Sequence, residues 1–366
     1  MEQTPSQQNW QPYNSLKRPG QMRAQSLQTI AHGADTIQFF QLRRSVGACE
    51  KFHGAVISHA GTENTRVFRE VQQLGGELEK LGDVILGSRS SAEVGVVFDW
   101  DNYWALEYTS GPTVDLMYVK QIYAYYQYFY QHNIPVNMIP FDADFSKYKL
   151  IVAPVLYMVK EGMKEALEKF VQDGGVLVLT YMSGIADQSD NVYLGGYPGP
   201  FREMAGVWVE EIDALSPEQT NRVRFADGST GSCSLVCDLM HLEGAKSLGE
   251  YAEDFYAGMP AVTENCYGNG KVYYIGTLLE ESARGKLFSY ICGNAQIKGL
   301  AETAPGLEIT CRETETHKIY FALNFGDEEC RLPEMFRGQK DLLTGSVLAE
   351  DTVLKKFDVC IVQVEK

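Results

Sequence analysis

Residues 150–180 read LIVAPVLYMVKEGMKEALEKFVQDGGVLVLT, and this stretch decides the fold class. Its two ends, Leu150–Ala153 and Val176–Thr180, are short continuous apolar runs, which are typical of strands buried on both faces. Between them, Glu161–Gln172 has helical spacing, and Gly175 comes directly before the second strand. A buried strand, a helix and another buried strand predict a parallel βαβ unit.

The same alternation extends in both directions over residues 90–300. We predict further strands at Val94–Phe98, Val136–Ile139 and Gly270–Gly276, and further helices at Val114–His132 and Glu280–Gly293. Short apolar strands with intervening helices favour a doubly wound, mostly parallel sheet. We therefore expect residues 90–302 to form an α/β domain of this kind.

Residues 1–85 have the order of helices and strand that is typical of a parallel α/β unit, and their first segment is a predicted loop. The segment Pro19–His32 is a predicted helix, because proline suits the first turn and Gly33 suits the end. A short strand, Thr36–Phe40, follows, and Glu63–Leu81 is a second helix with apolar residues at helical spacing. The strand that should precede this unit is missing, so we expect residues 1–85 to pack incompletely or to depend on a separate piece.

The helical spacing of apolar residues is not seen in residues 305–366. The segments Leu307–Arg312, His317–Asn324 and Phe357–Val364 alternate or carry β-branched and aromatic residues, and short glycine-containing turns separate them. This pattern predicts a small antiparallel β domain. Pro305-Gly306 is a turn signal, so a linker is expected near Glu302–Gly306.

Charge and composition narrow the class of partner. The chain has a formal net charge of −16, and 45% of its 366 residues are hydrophobic. Such acidity argues against nucleic acid and anionic membrane surfaces, because both attract Lys and Arg. The polar first twenty residues carry no apolar signal-peptide core, and no apolar run is long enough to span a bilayer. We expect a cytoplasmic protein that acts on a neutral small molecule.

The cysteines do not indicate a metal centre or a disulfide framework. Eight of them are scattered along the chain, and Cys233 and Cys237 are the one close pair. No second pair or neighbouring His completes a set of zinc ligands. We expect reduced, mostly buried thiols, no metal and no cofactor.

The residues with the most chemical information lie in the first 61 positions. Glu2 is followed by Trp10, then by Phe39-Phe40, the pair Arg43-Arg44, the stretch EKFHG at 50–54 and VISHAG at 56–61. Taken singly, each has an ordinary interpretation: Glu2 as a terminal residue, Trp10 as a packing residue, Glu50 as a solvated charge and His53 as a loop residue. Arg43 and Arg44 are expected to form salt bridges.

Together these residues resemble the family-42 β-galactosidases, glycoside hydrolases with a barrel, a trimerisation domain and a small β domain. The likeness runs along essentially the whole chain and implies a C-terminal portion of such an enzyme. It implies that residues 1–85 are the last two βα units of a (β/α)8 barrel. It also implies that Met1-Glu2 ends the seventh strand with Glu2 as nucleophile, and that Trp10, Phe40, Glu50 and His53 bind the sugar.

The chemistry is consistent with these implied roles. A retaining glycosidase uses two carboxyl groups about 5–5.5 Å apart, one of which attacks the sugar. Barrel enzymes carry such groups at the carboxyl ends of strands. A flat indole such as Trp10 can stack on the C–H face of galactose. Glu50 can accept hydrogen bonds from sugar hydroxyls, and His53 is expected to donate them.

The chain also departs from the family pattern. The acid/base glutamate of these enzymes follows an Asn at the end of the fourth barrel strand, and the structural metal of the family is bound in the same region. Both would lie upstream of Met1. We therefore expect this chain to be inactive alone, since loss of the acid removes a factor of about 10²–10⁴. An internal start, a truncated gene and a split enzyme all fit the sequence.

The resemblance further implies that residues 90–302 are a class I amidotransferase-like domain that holds subunits together as a homotrimer. The aromatic segments Trp100–Trp104 and Tyr118–Tyr130 could form such contacts, or simply cover the sheet. Ser183 follows a central strand, but no His is evident nearby, so catalysis is not expected there. A non-catalytic oligomerisation module with a vestigial barrel is the main alternative. The natural galactoside stays open, and an α-L-arabinosidase activity is a further possibility.

Overall fold

The computed structural model describes residues 2–366, which divide into two compact units. The terminal unit contains residues 2–91, 131–135 and 299–366, and the central unit contains residues 92–130 and 136–298. The predicted first and third blocks of the sequence are therefore folded together, and the long middle segment forms a unit of its own.

The first elements of the terminal unit form a small parallel βαβα arrangement. They are β1 (Glu2–Gln3), α1 (Gln21–Ala31), β2 (Gln38–Phe39) and α2 (Arg66–Ile85). Strand β1 pairs in parallel with β2, and α1 is the crossover between them. Both predicted helices are confirmed, although α2 extends to Ile85. Its N-cap is Thr65, whose hydroxyl accepts a hydrogen bond from the Phe68 N–H.

The central unit is built around a single large sheet. Its helices are α3 (Trp100–Tyr108), α4 (Tyr118–Gln131), α5 (Met163–Gln172), α6 (Arg202–Ala205) and α7 (Glu281–Asn294). Its strands are β3 (Val94–Val97), β4 (Val136–Ile139), β5 (Leu150–Ala153), β6 (Met158–Val159), β7 (Val176–Thr180), β8 (Ala186–Asp187), β9 (Val207–Ala214), β10 (Asn221–Phe225), β11 (Thr230–Leu242), β12 (Lys246–Tyr251), β13 (Pro260–Tyr267), β14 (Gly270–Ile275) and β15 (Thr277–Leu279).

This sheet is mixed. In the described residues its order is β15-β11-β10-β12-β13-β14-β7-β5-β3-β4, with β9 also paired to β11. The half from β14 to β4 is parallel, and every predicted strand of the segment lies in it. The other half is antiparallel, so the prediction of a mostly parallel sheet is wrong for Val207–Tyr267 and Thr277–Leu279. Strand β10 of this half alternates buried and exposed residues instead of presenting a continuous apolar run.

The parallel strands are the core of the central unit. Every residue of β3, β5 and β7 is buried, as their apolar sequences predict. Helix α5 packs on this sheet through Met163, Leu167 and Phe170. The carboxyl ends of the same strands are closed by buried side chains, including Tyr181.

The remaining elements return to the terminal unit and form its antiparallel sheets. They are β16 (Leu307–Glu313), β17 (His317–Asn324), β18 (Cys330–Arg331), β19 (Val353–Leu354) and β20 (Val359–Glu365). Strands β16, β17 and β20 form one antiparallel sheet, and β18 pairs with β19. The three predicted strands are thus confirmed to within two residues at each end.

Helices α1 and α2 share a core with the C-terminal sheet. Leu27 of α1 and Leu74 of α2 are buried in one cluster with Ile319, Phe321 and Ile361 of β17 and β20. The expectation of incomplete packing therefore does not hold for these helices, because the C-terminal sheet covers their apolar faces. The loop at 11–16 is exposed.

Two further properties concern the whole described chain. Six of the eight cysteines are buried and unpaired, and Cys49 and Cys266 are exposed. Within residues 2–366, no helix is both long and apolar enough to cross a membrane.

Candidate active site

Glu2 lies beside the strand that leads to Phe40. In the β1–β2 pair, Glu2 is opposite Gln38 and Gln3 is opposite Phe39. The Phe40 N–H then donates to the Gln3 carbonyl oxygen at 2.9 Å, which continues the pairing by one residue. Glu2 is exposed at its strand, whereas Met1, the other half of the predicted Met1-Glu2 pair, lies outside the described residues.

Two loops that carry site residues are joined by hydrogen bonds. The Gly54 N–H donates to the Gln7 carbonyl oxygen at 2.8 Å, and the Gln7 side-chain amide donates to the Phe52 carbonyl oxygen at 3.0 Å. The Asn9 side-chain amide donates to the Cys49 carbonyl oxygen at 2.8 Å. A Cβ atom at Gly54 would lie 2.7 Å from the Gln7 oxygen, so only glycine allows this close approach.

These loops assemble three aromatic rings. The Trp10 and His53 rings stack with centroids 4.9 Å apart, and Phe40 meets His53 edge-on at 5.1 Å. His53 is buried with 1% exposure, whereas Trp10 is 56% exposed. The indole therefore packs on the histidine and still presents much of its surface to a ligand.

The hydrogen bond of His53 fixes the role of its ring nitrogens. Its Nδ1 lies 2.9 Å from the Gly54 carbonyl oxygen. A carbonyl oxygen only accepts, so Nδ1 carries the hydrogen, and in the neutral ring Nε2 is an acceptor. The role of His53 as a donor to a sugar hydroxyl stays a prediction, and only a ring that also carries hydrogen on Nε2 would fill it.

Neither predicted carboxylate has a partner within residues 2–366. The Glu50 carbonyl oxygen accepts the His53 N–H at 2.9 Å, which places Glu50 at the start of the turn that carries His53. Its carboxylate, like that of Glu2, forms no hydrogen bond or ion pair with another described residue. The structure thus brings Trp10, Phe40 and His53 into contact and leaves the two acidic groups available to a ligand.

Arg43 and Arg44 do not form the predicted salt bridges. Among the described residues, neither guanidinium lies within ion-pair distance of a carboxylate. The Arg44 N–H donates to the Ile57 carbonyl oxygen at 3.0 Å, and its side-chain Nε is buried without a hydrogen-bond partner. Arg43 and Arg44 lie in a segment after β2 whose backbone pairs with the segment around Ile57.

A polar cavity of about 450 Å³ lies next to Glu2. Gln3, Thr4, Lys17 and Gln25 contribute to its lining. The Lys17 ammonium donates to the Thr4 carbonyl oxygen at 2.6 Å, and burial lowers the pKa of this lysine. No sequence pattern predicts the cavity, because its lining residues are polar and lie in loops and on one face of α1.

The turn after β7 does not present a nucleophile. Met182, not Ser183, has the left-handed backbone conformation, with φ 61°. The Ser183 hydroxyl is buried without a hydrogen-bond partner. Nearby Asp238 accepts a hydrogen bond from the Tyr274 hydroxyl at 2.8 Å, and burial raises the pKa of the Asp238 carboxyl to about 8. Sequence inspection did not single out Asp238.

A metal-binding cluster is not found within residues 2–366. Cys233 and Cys237 lie on the same strand and are both buried, and the Cys237 sulfur is 3.7 Å from the Thr277 hydroxyl. The site residues described above offer carboxylates, aromatic rings and an imidazole. Such groups can bind a neutral polar ligand, and a carboxylate can also attack it as a nucleophile.

Comparison with known proteins identifies the class of enzyme to which these features belong. Three family models match in order along the chain: β-galactosidase at residues 1–81, β-galactosidase trimerisation domain at residues 92–298 and β-galactosidase C-terminal domain at residues 306–363. The trimerisation-domain match alone covers more than half of the chain. The chain therefore belongs to the glycoside hydrolase family 42 β-galactosidases.

Individual relatives agree with this assignment. The β-galactosidase LacZ of Lactobacillus acidophilus is 51% identical over 364 residues, covering 99% of this chain and 54% of LacZ. The crystal structure of β-galactosidase from Bacillus circulans sp. alkalophilus superposes with a TM-score of 0.96 at 47% identity, covering 99% of this chain and 55% of that one. Gan42B, a GH42 β-galactosidase, gives a TM-score of 0.94 at 37% identity, covering 100% and 54%. The chain thus spans about half the length of the relatives that it matches.

Proposed function

We propose that this chain forms part of a retaining β-galactosidase, with residues 2–85 as the last two βα units of its (β/α)8 barrel. The order β1-α1-β2-α2 and the parallel pairing of β1 with β2 support this assignment. The observation that carries the proposal is the assembly of Trp10, His53 and Phe40 where β2 ends, with Glu2 on the neighbouring strand.

In this proposal Glu2 is the nucleophile. Its carboxylate would attack the anomeric carbon of a β-D-galactosyl residue and form a covalent glycosyl-enzyme, which water then hydrolyses. A second carboxyl group about 5–5.5 Å away would protonate the departing oxygen and afterwards activate the water. We infer that this acid/base group, and the family's structural metal site, are supplied from outside these 366 residues. The chain itself would need no cofactor.

The sugar would be bound by the ring cluster and the neighbouring acceptors. The exposed indole of Trp10 offers a flat surface for the C–H face of galactose, and Phe40 meets the His53 ring edge-on. Glu50 and the neutral His53 Nε2 both accept hydrogen bonds, so the sugar hydroxyls that they bind act as donors. A site built from acceptors rejects analogues that lack those hydroxyls.

The central unit would assemble the enzyme. We propose a homotrimer, supported by the match to the trimerisation-domain model and by the exposed side chains of Trp100 and Trp104. Its parallel half and the left-handed Met182 after β7 are consistent with a class I amidotransferase-like fold without catalysis. We propose no nucleic-acid or membrane partner for this acidic chain, and a cytoplasmic location stays a prediction.

The same aromatic surface favours a second candidate, a non-catalytic oligomerisation module. Under that alternative the chain would still trimerise, but Glu2 and the ring cluster would have no role in turnover. Catalysis that depends on Glu2 therefore distinguishes the two functions.

The decisive experiment supplies the missing half of the barrel. The chain alone, assayed with o-nitrophenyl β-galactoside, is expected to show no turnover. Fused to the upstream half of the L. acidophilus LacZ relative, it should hydrolyse this substrate. Glu2→Ala in the fusion should abolish turnover, and azide should restore release of nitrophenol and yield α-galactosyl azide, because azide attacks where the nucleophile did.

Glu63→Ala, an exposed change near the start of α2, serves as the matched control. It should leave the turnover of the fusion unchanged. Full activity of the Glu2→Ala fusion would favour the oligomerisation module. A parallel assay with a nitrophenyl α-L-arabinoside tests the alternative substrate.

A further inference from the structure

A second cavity, of about 290 Å³, lies in the central unit on the antiparallel half of the sheet. It is formed by the hairpin that joins β10 to β11, by β12 and by α7. None of its lining residues belongs to the terminal unit, so it is separate from Glu2 and the ring cluster.

The floor of this cavity is apolar. Leu287 and Ala283 of α7 are 5% and 4% exposed and form one side. Half-buried Phe225 and Leu248, from β10 and β12, form the other side. An apolar floor of this size can bury a phenyl ring or a short alkyl chain from water.

The rim of the cavity carries two lysines. Lys246 and Lys286 are exposed, and neither lies within ion-pair distance of a carboxylate among the described residues. Most other lysines of the central unit are paired, for example Lys160 with Asp99 and Lys271 with Glu264. Lys286 interacts electrostatically with the Asp227 carboxylate of the same rim, and the two lysines together outnumber that carboxylate on a chain with a net charge of −16.

The other polar groups of the rim are already engaged within the protein. The Asp227 carboxylate accepts the Ser229 N–H at 2.9 Å, a bond within its own hairpin. The Tyr290 hydroxyl donates to the Glu264 carboxylate at 3.2 Å, so its ring walls the cavity while its hydroxyl points to a partner. The rim thus carries two positive charges against the single negative charge of Asp227.

We propose that this cavity binds a small organic monocarboxylate with an apolar body. The apolar body would lie on Phe225, Leu248 and Leu287, and the carboxylate would lie between the ammonium groups of Lys246 and Lys286. Such a site is independent of glycoside hydrolysis, so its test needs only the 366-residue chain.

The probe for this site is 4-phenylbutyrate, compared with the neutral 4-phenyl-1-butanol, which has the same ring and chain. Ligand-observed NMR and calorimetric titration should show binding of the acid and about tenfold weaker binding of the alcohol. The variant Lys246→Gln/Lys286→Gln should lose about tenfold affinity for the acid and keep that for the alcohol. Methyl signals of Leu248 and Leu287 should shift on titration, and those of Leu167 should not.

Lys169→Gln is the control, because it removes a charge of the same kind on α5, away from the cavity. It should bind the acid as the unaltered chain does. Equal affinity for acid and alcohol, or equal losses in the double variant and the control, would overturn the role of the two lysines. Absence of 4-phenylbutyrate binding, or shifts confined to other methyl groups, would overturn the site itself.

Discussion

The Arg312 guanidinium donates to the Ile30 carbonyl oxygen at 2.9 Å and so connects β16 to the last turn of α1. The same Nη1 reaches the Ala34 carbonyl oxygen at 2.8 Å, and Nη2 reaches that of Ser88 at 3.0 Å. Arg312 is 1% exposed. The buried Arg312 side chain therefore donates hydrogen bonds to carbonyl oxygens at the ends of both helices that pack on the C-terminal sheet.

Replacing Arg312 should destabilise the terminal unit strongly. Arg312→Ala leaves two buried carbonyl oxygens and one partly buried carbonyl oxygen without their donor, and we expect a loss of about 3–5 kcal/mol in the free energy of unfolding. Urea unfolding followed by circular dichroism measures it. Asp35→Asn is the control, since Asp35 is an exposed partner of Arg312 and should cost less than about 1 kcal/mol. Equal losses in the two variants would contradict this account.

Asp238 should make the central unit less stable as pH rises. Burial raises the pKa of its carboxyl to about 8 in the fold, whereas an unfolded Asp has a pKa of about 4. The folded chain therefore holds a proton that the unfolded chain releases between these values. This contribution to stability is complete below about pH 4 and is lost as pH rises to about 8, at up to about 1.4 kcal/mol per pH unit.

Thermal unfolding at pH 5 to 8 measures this slope. The variant Asp238→Asn should unfold with a distinctly shallower dependence on pH than the unaltered chain. Asp227→Asn, in an exposed hairpin, should keep the steep slope. If the slopes of the unaltered chain and Asp238→Asn coincide, Asp238 is not the group that titrates.

Gly54 should be required for the geometry of the proposed sugar site. In Gly54→Ala, the new Cβ would lie 2.7 Å from the Gln7 oxygen and 2.8 Å from the Thr4 hydroxyl, so the two loops must separate. We expect a loss of about 1–3 kcal/mol in the free energy of unfolding. Gly47→Ala is the matched control, because no atom lies within 4 Å of its added Cβ. Differential scanning calorimetry of the two variants decides whether the close contact matters.

Trp100 and Trp104 should be needed for assembly. Their rings lie 6.1 Å apart, and they are 59% and 51% exposed. If this surface forms the proposed trimer contact, Trp100→Ser/Trp104→Ser should shift the mass in light scattering from trimer to monomer. Phe255→Ser, at another exposed aromatic of the central unit, should leave the trimer intact. If the Trp100→Ser/Trp104→Ser variant stays trimeric, the trimer contact lies on another surface.

The sequence predicted the parts of the fold that rest on local patterns. Continuous apolar runs located β3, β5 and β7, because strands buried on both faces need no alternation. The antiparallel half was missed, since β11 is long, contains polar residues and has a register shift between Ser234 and Cys237. Alternation interrupted in this way does not stand out as a strand.

The sequence pointed to candidate site residues, but it did not predict how these residues contact one another. Glu2, Trp10, Phe40, Glu50 and His53 were chosen from a family resemblance, and their roles stay predictions. That Trp10 stacks on His53 depends on bonds between loops about forty residues apart, such as Asn9 to Cys49. The donor role of His53 Nδ1 depends on its position relative to the Gly54 carbonyl oxygen, which no sequence pattern specifies.

The shared core of α1, α2, β17 and β20 has a consequence for how the chain is made. The helices leave the ribosome long before the strands that cover them, because the entire central unit is translated in between. Until β17 and β20 emerge, Leu27 and Leu74 have no partners from the sheet, and their apolar faces are open to chaperones or to aggregation. Strands β17 and β20 therefore complete the core of two helices that are synthesised well before them.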